Sequence, residues 1–233
     1  MKETTTTTDD GPPTKKARHS ISSKVENYLK HLPSSQSYEV SYAHRDIVTS
    51  VCVSNPNAMV LSGSADGVVK FWKRIGSGAP ATPVDSVGIE FVKSYQGHSS
   101  AVLCMKLNYQ QNVAVSIGLD AVVKFYDVLN FDVTSYINTR LNLKEIGDNV
   151  NFAPHCCFIG KSQTNIAVAT TKGDILIFDT VELQLSTSVK LHGSCIVAMD
   201  YNYRFGTVIS GDSSGVIEIW KGEDDVIGNA PDR

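Results

Sequence analysis

Short apolar runs separated by polar turns dominate the chain after residue 31. Branched and aromatic residues form eight such runs: Ile47–Val53, Val68–Trp72, Val102–Leu107, Val122–Tyr126, Ile166–Ala169, Ile175–Phe178, Ile196–Met199 and Val216–Trp220. Such residues pack well on a pleated surface, while the Gly, Asp, Asn and Ser between them favour tight turns. The pattern predicts antiparallel strands and an all-β fold.

The first residues have a different character. Residues 1–19 combine a Thr run with Gly11, Pro12 and Pro13 and have almost nothing to bury, which predicts a disordered basic leader. Between Ser20 and His31, apolar residues recur at spacings of three and four until Pro33. This spacing predicts one short helix, followed by a leading strand, within residues 20–43.

A pattern that begins with Ser and ends with an aromatic residue recurs along the strands. Ser62–Trp72, Ser116–Tyr126 and Ser210–Trp220 align, and Thr170–Phe178 is a degenerate copy. A histidine precedes Trp72, Tyr126 and Trp220 by 28 residues in each case. Repeats of this length with paired short strands indicate the blades of a β-propeller.

The repeats divide the chain into a series of segments. They are a disordered basic leader (1–19), a short helix and leading strand (20–43), blade one (44–75), an inserted Gly/Ser/Pro-rich loop (76–88), blade two (89–130), a degenerate blade three (131–180), blade four (181–222) and an acidic tail (223–233). About four blades occupy the chain, and we expect the propeller to be incomplete.

Gly97-His98, Asp120 and Tyr126-Asp127 resemble the Gly-His and Trp-Asp signatures of the WD-repeat family. The resemblance implies a buried polar network in each blade that matches the repeat signature well. Its members would be His44, Ser62, Asp66 and Trp72 in blade one, His98, Ser116, Asp120 and Tyr126 in blade two, and His192, Ser210 and Trp220 in blade four. In blade four, Ser214 stands where the Asp is expected. Blade three has Val168 and Lys172 at the polar positions, so apolar packing is expected to hold it together.

A closer resemblance involves residues outside the repeat signature. The segments 38–46, 69–73, 88–93 and 124–132 are similar to the nuclear WD-repeat cyclophilins, which join WD repeats to a peptidylprolyl isomerase domain. The resemblance implies a nuclear protein of the spliceosome that acts in pre-mRNA splicing. Its WD part would be a docking scaffold for spliceosomal proteins.

The resemblance also implies a carboxy-terminal cyclophilin domain, but nothing after Trp220 is similar to one. We therefore expect this chain to be a fragment that is not itself an enzyme, whereas the full-length family member would be a peptidyl-prolyl cis-trans isomerase. The alternative is a truncated isomerase whose catalytic domain lies downstream.

Composition and motifs exclude other functions. A net charge of −3 argues against direct nucleic-acid readout, and no apolar run is long enough to cross a membrane.

We predict no catalytic residues, because His, Ser and Asp recur at the same phase in separate repeats and so serve the fold. We also predict no metal or cofactor. His155, Cys156 and Cys157 lack the spacing of a zinc site, and five cysteines fit an intracellular protein with reduced thiols.

One short segment suggests a further partner. Residues 14–31 carry a net charge of +4, and Lys15, Lys16 and Arg18 form a basic cluster. An exposed basic cluster is typical of nuclear import signals, which are bound by an acidic groove of an import receptor. A solvated charge run that aids solubility is the alternative. With the family resemblance, the cluster predicts a nuclear protein.

Overall fold

The computed structural model describes residues 42–75, 88–139 and 152–221. The predicted leader, the short helix and most of the inserted loop lie outside these residues, as do the acidic tail and the cluster Lys15, Lys16 and Arg18. No helix among the described residues is long and apolar enough to cross a membrane.

Fifteen strands in the described residues form four antiparallel sheets. Sheet 1 contains β1 (Val48–Ser54), β2 (Met59–Ser64), β3 (Val68–Ile75) and β4 (Gly88–Gln96). Sheet 2 contains β5 (Val102–Leu107), β6 (Val113–Gly118), β7 (Val122–Asp127) and β8 (Asp132–Asn138). Sheet 3 contains β9 (Phe152–Ile159), β10 (Asn165–Thr170), β11 (Asp174–Asp179) and β12 (Gln184–Lys190). Sheet 4 contains β13 (Ile196–Asn202), β14 (Thr207–Asp212) and β15 (Ile217–Lys221).

The sheets and the sequence repeats divide the chain at different places. Strand β4 pairs with β3, so sheet 1 continues beyond the predicted end of blade one at residue 75. Strand β8 likewise pairs with β7, although blade two was expected to end at residue 130. The repeats were delimited by matching residue types along the sequence. Such a match does not reveal which strands are hydrogen-bonded to each other, so the boundaries of the repeats differ from those of the sheets.

The sheets pack face to face in chain order. Leu61 and Phe71 of sheet 1 pack with Met105 and Tyr126 of sheet 2 in one buried cluster. The next cluster lies between sheets 2 and 3 and contains Val115, Phe125, Phe158, Ile166 and Phe178. The third cluster lies between sheets 3 and 4 and contains Ala167, Ile175, Ile196, Met199 and Val208. This stacking of antiparallel sheets confirms the predicted all-β fold with propeller-type blades.

Two turn glycines bring the histidine loops close to the preceding sheet. Gly67 has a φ of +78°, and its carbonyl oxygen accepts a hydrogen bond from the His98 amide at 2.9 Å. Gly173, with a φ of +87°, accepts the corresponding bond from His192 at 3.1 Å. A Cβ at either glycine would collide with the carbonyl oxygen of that histidine. These turns therefore require glycine both for their backbone conformation and for the close approach of the next loop.

Candidate functional site

The first polar network lies between the His44 loop and sheet 1. Nε2 of His44 lies 2.8 Å from the Ser62 hydroxyl, and Nε1–H of Trp72 donates to the same oxygen at 2.8 Å. Asp66 accepts hydrogen bonds from the backbone amides of Arg45 and Val68 at 3.0 and 2.9 Å. The hydroxyl therefore links the loop to β3, and the carboxylate links the loop to the turn before β3.

The carboxylate beside the ring favours one histidine tautomer. Nδ1 of His44 faces the Asp66 carboxylate at 3.7 Å, where an N–H is attracted and a lone pair is repelled, so the ring hydrogen is favoured on Nδ1. Ser62 accepts from Trp72, because an indole N–H can only donate, and its own hydrogen is available to donate to Nε2 of His44. The distance between Nδ1 and the carboxylate is too long for a hydrogen bond, so the contact between imidazole and carboxylate is electrostatic.

The second network is tighter than the first. His98 lies 2.7 Å from the Ser116 hydroxyl through Nε2 and 3.0 Å from Asp120 through Nδ1. The Tyr126 hydroxyl, 3.1 Å from Ser116, replaces the indole of the first network. The Ser99 amide also donates to Asp120 at 2.9 Å. Replacing Trp by Tyr thus preserves the link to β7 through an O–H group.

In sheet 4 the carboxylate comes from a residue that the sequence alignment did not select. His192 lies 2.8 Å from Ser210 through Nε2, and Trp220 donates to that hydroxyl at 3.3 Å. The partner of Nδ1 is Asp212, at 3.2 Å. Ser214, which aligns with Asp66, donates to Asp212 through its amide at 2.9 Å and its hydroxyl at 2.6 Å. A carboxylate two residues earlier thus reaches the imidazole, and Asp212 completes the network although Ser214 stands at the aligned position.

Sheet 3 is held together without a histidine network among its described residues. Val168 is fully buried at the position that Ser occupies in the other blades. Ile166, Leu176 and Phe178 are fully buried in the same cluster. Thr170 keeps one polar contact, since its hydroxyl accepts from the Asp174 amide at 3.0 Å. Apolar packing therefore replaces the polar link in this blade.

Burial determines the electrostatics of the networks. Burial lowers the pKa of His44 and of His98 below the usual 6.5, although the neighbouring Asp66 and Asp120 oppose the shift. Burial by itself would raise the pKa of Asp120, but the hydrogen bonds from the Ser99 amide and from His98 outweigh it and leave that pKa below its usual value. Both imidazoles are therefore neutral near pH 7, as the tautomer argument requires.

The arrangement does not resemble a hydrolase site. Ser116 and Ser210 are fully buried, and each hydroxyl is shared between a histidine and an aromatic residue. A nucleophilic serine needs an exposed hydroxyl beside an oxyanion site. The same geometry also recurs in three sheets, as a structural role requires.

The adjacent residues Cys156 and Cys157 lie on opposite faces of sheet 3, because successive side chains of a strand point to opposite faces. Cys156 is buried between sheets 2 and 3, where its sulfur lies 3.8 Å from that of Cys104. Cys157 is buried between sheets 3 and 4. Among the described residues no group of three or more His, Cys, Asp or Glu side chains could hold a metal ion.

Sequence reasoning missed a cluster of exposed aromatic side chains on the hairpin loops that join the first two strands of sheets 2 and 4. Tyr109 and Tyr203 lie with ring centroids 4.7 Å apart and are 68% and 42% exposed. Phe205 is 70% exposed, with the Arg204 guanidinium 5.5 Å from its ring centroid. The side chain of Gln163, on the corresponding loop of sheet 3, accepts from the Tyr109 amide at 2.7 Å. We call Tyr109, Tyr203, Arg204 and Phe205 the aromatic loop cluster. Nothing in the linear sequence indicates that these loops converge.

Comparison with known proteins identifies the repeats. The family described as WD domain, G-beta repeat matches residues 35–73 and 89–127. The Peptidyl-prolyl cis-trans isomerase cyp15 of Rhizopus delemar is 33% identical over 91% of the chain. The Peptidylprolyl isomerase domain and WD repeat-containing protein 1 of Homo sapiens is 33% identical over 84%. These matches cover 31% and 28% of the relatives, so the chain spans about three tenths of their length.

Two solved structures share the fold. The computationally designed Ika4 protein aligns with 77% of this chain and 94% of its own chain, with a TM-score of 0.56 and 20% identity. The designed Ika8 protein has the same TM-score and 21% identity and aligns over 76% of this chain and 46% of its own. At such low identity the likeness concerns the fold alone.

The relatives correct one expectation from the sequence. The prediction that this chain is not an enzyme is wrong, because proteins that match 84% to 91% of it are named peptidyl-prolyl isomerases or peptidylprolyl isomerase domain proteins. The prediction relied on the lack of a cyclophilin-like segment after Trp220. Since the chain spans only about three tenths of these relatives, that lack says nothing about the protein of which it is part.

Replacing the carboxylate of the fourth network tests its reassignment. Asp212→Ala removes the acceptor of His192, of the Val216 amide and of two Ser214 groups. Ser214→Ala removes only one of these bonds. We expect Asp212→Ala to lower the urea midpoint several times as much as Ser214→Ala does, as measured by circular dichroism. Equal effects would contradict the assignment of Asp212.

The neutral histidines predict a dependence of stability on pH. The pKa values of His44 and His98 lie below 6.5 in the folded state, so the unfolded chain binds more protons as the pH falls through that value. We expect the free energy of unfolding to decrease between pH 7 and pH 5, as measured by urea titration. The slope of the free energy of unfolding against pH should be shallower for His98→Gln than for the unchanged protein, whatever the two absolute stabilities are. Stability that rises on acidification would refute the prediction.

Proposed function

The chain is a WD-repeat protein with homologues among the WD-repeat peptidyl-prolyl isomerases, and on this premise we propose that it is a protein-interaction scaffold that acts in pre-mRNA splicing in the nucleus. The observation that carries the proposal is the match with these relatives, which runs through the stacked sheets and not only through the repeat signatures. The resemblance to nuclear WD-repeat cyclophilins supports spliceosomal proteins as the partners.

The geometry of the networks supports a scaffold role. His, Ser and Asp of three blades bond to one another or to turn amides and leave their strands rigidly connected. A rigid frame of this kind presents its loops and strand edges with little loss of conformational entropy on binding. The functional surface is then the outside of the blades.

The aromatic loop cluster is the surface that best fits protein binding. Tyr and Arg are enriched among the residues that carry most of the energy of protein interfaces. Tyr109, Tyr203 and Phe205 present exposed rings from loops that contact one another. A partner that covers these rings gains apolar burial, and the backbone of the loops is already ordered by the bonds between them.

Purification of the intact protein from nuclei tests the splicing role. With an affinity tag at the native locus, we expect splicing proteins and spliceosomal small nuclear RNAs to copurify, as identified by mass spectrometry and RNA blotting. Recovery of the protein from nuclear extract without splicing factors would refute the proposal.

The basic cluster provides the control for this experiment. Changing Lys15, Lys16 and Arg18 to Ala should leave the tagged protein in the cytoplasm, where it copurifies with no splicing factors. The matched variant changes Lys2, Lys24 and Lys30 to Ala, which removes the same charge and should remain nuclear. Equal distribution of the two variants would refute an import role for the cluster.

A second candidate function follows from the names of the relatives. We propose that the complete protein catalyses cis-trans isomerisation of prolyl bonds through a domain carboxy-terminal to these residues. The support is that the relatives named as isomerases are about three times as long as the stretch matched here.

The isomerase proposal is tested on the intact protein. The material purified through the affinity tag should accelerate cis-trans isomerisation of a proline peptide, as measured by the chromogenic release of a group that is cleaved only from the trans form. A mock purification from untagged cells should show the uncatalysed rate. An uncatalysed rate with the tagged material, together with a reading frame that stops after Arg233, would refute it.

A further inference from the structure

Two buried thiols meet in the interface between sheets 2 and 3. Cys104 lies on β5 and Cys156 on β9, and both belong to the cluster that fills this interface. The Cys156 thiol donates a hydrogen bond to the sulfur of Cys104, and the two sulfur atoms are 3.8 Å apart. Because a disulfide bond is about 2.05 Å long, the two sulfurs need to approach each other by less than about 2 Å to become bonded.

The other three cysteines are directed elsewhere. Cys157 follows Cys156 in the chain but is buried on the opposite side of the sheet, between sheets 3 and 4. The thiols of Cys52 and Cys195 each donate to a backbone carbonyl oxygen, at 3.2 and 3.6 Å. The fold therefore brings one particular pair among the five cysteines into sulfur–sulfur contact.

The two thiols of this pair differ in their chemistry. The hydrogen bond from Cys156 lowers the pKa of Cys104 below its ordinary value, although burial opposes the shift. The Lys106 ammonium also favours the Cys104 thiolate, and the Asp200 carboxylate opposes it. The hydrogen bond to Cys104 and complete burial raise the pKa of Cys156 well above its ordinary value. Cys104 is 7% exposed and Cys156 is fully buried, so Cys104 is the thiol that a small oxidant can reach and that reacts first.

We propose that Cys104 and Cys156 form a reversible disulfide bond when the protein meets a hydroperoxide. In the first step the Cys104 thiolate attacks a peroxide oxygen, the O–O bond breaks, and the other oxygen takes a proton and leaves as water or an alcohol. In the second step the Cys156 sulfur attacks the sulfenic acid so formed, the S–O bond breaks, and the hydroxyl leaves as water with the thiol proton. The two thiols lose two electrons and the hydroperoxide gains them. A dithiol reductant restores both thiols by exchange.

The bond joins two sheets that are otherwise held by packing and hydrogen bonds. It links residues 52 positions apart in the chain, and such a cross-link restricts the opening of one sheet away from the other. Strand β5 leads into the loop of Tyr109 and β9 into the loop of Gln163, whose side chain accepts from the Tyr109 amide at 2.7 Å. Oxidation therefore restrains these two loops as well as the strands.

Peptide mapping of the intact protein tests the bond directly. The affinity-tagged protein is reduced and then exposed to hydrogen peroxide, the remaining thiols are blocked with N-ethylmaleimide in urea, and trypsin digestion follows without reduction. Cys104 and Cys156 fall in the tryptic peptides 94–106 and 145–161. Mass spectrometry should find these two peptides linked, and dithiothreitol should separate them. Blocked thiols at both positions, or a sulfinic acid at Cys104 in place of the link, would overturn the proposal.

Single replacements distinguish this pair from the neighbouring thiol. Cys157 lies in the same tryptic peptide as Cys156 but faces the other side of sheet 3, so it provides the matched control. Cys157→Ala should leave the linked peptides unchanged, whereas Cys156→Ala should abolish them and let Cys104 proceed to the sulfinic acid. A link that persists in Cys156→Ala and disappears in Cys157→Ala contradicts the assigned pair. Oxidation of the unchanged protein in urea should instead link the cysteines in several combinations, because the selectivity depends on the fold.

Hydrogen exchange measures the effect of the bond on the sheets. In the intact protein, the amides of β5, of β9 and of the loops that follow them should exchange more slowly after oxidation, and dithiothreitol should restore the original rates. Cys156→Ala, treated in the same way, should show no slowing. Unchanged exchange in the oxidised protein, or equal slowing in Cys156→Ala, would show that the bond does not restrain the two sheets.

Discussion

A β-sheet that is apolar on both faces can be stable in water only if both faces are covered, and this constraint governs the whole described structure. Each strand alternates its side chains between the two faces, and here both sets are largely apolar. Sheets 2 and 3 meet the requirement because each lies between two neighbours, as the clusters around Tyr126, Phe178 and Ile175 show. The successive stacking of the sheets follows from this constraint.

Apolar packing is non-directional and leaves the relative orientation of the sheets poorly determined. The hydrogen bonds of the polar networks are directional and fix that orientation. The loop that carries His98 bonds through its backbone to Gly67 of sheet 1 and through its ring to Ser116 of sheet 2. One residue thereby connects two sheets with bonds of defined length and angle. Because these buried groups would be costly to leave unpaired, the network favours one arrangement over slightly shifted alternatives.

The residue types that build these networks are those of catalytic triads, yet their setting assigns them to the fold. Each serine hydroxyl is bonded to both a histidine and an aromatic residue, and the arrangement recurs at the same place in three sheets. In the proposed scaffold role, partners contact what the frame presents to the outside. The aromatic loop cluster exposes Tyr109 and Phe205 at converging loops, and rigid sheets hold those loops in place.

Local pattern by itself predicted eight of the fifteen strands and the turns between them, because alternation and turn chemistry are properties of neighbouring positions. The resemblance to WD repeats implied most network members. Sequence comparison could not identify Asp212, since the alignment places Ser214 at the position of the acid, whereas the folded turn brings Asp212 to the imidazole and leaves Ser214 bonded to Asp212. It also could not show that β4 belongs with β3, or that the loops of Tyr109 and Tyr203 meet, because both depend on contacts between distant residues. Sequence thus determined which faces are apolar, whereas only the tertiary structure decided which of them are covered, because coverage depends on which sheet packs against which.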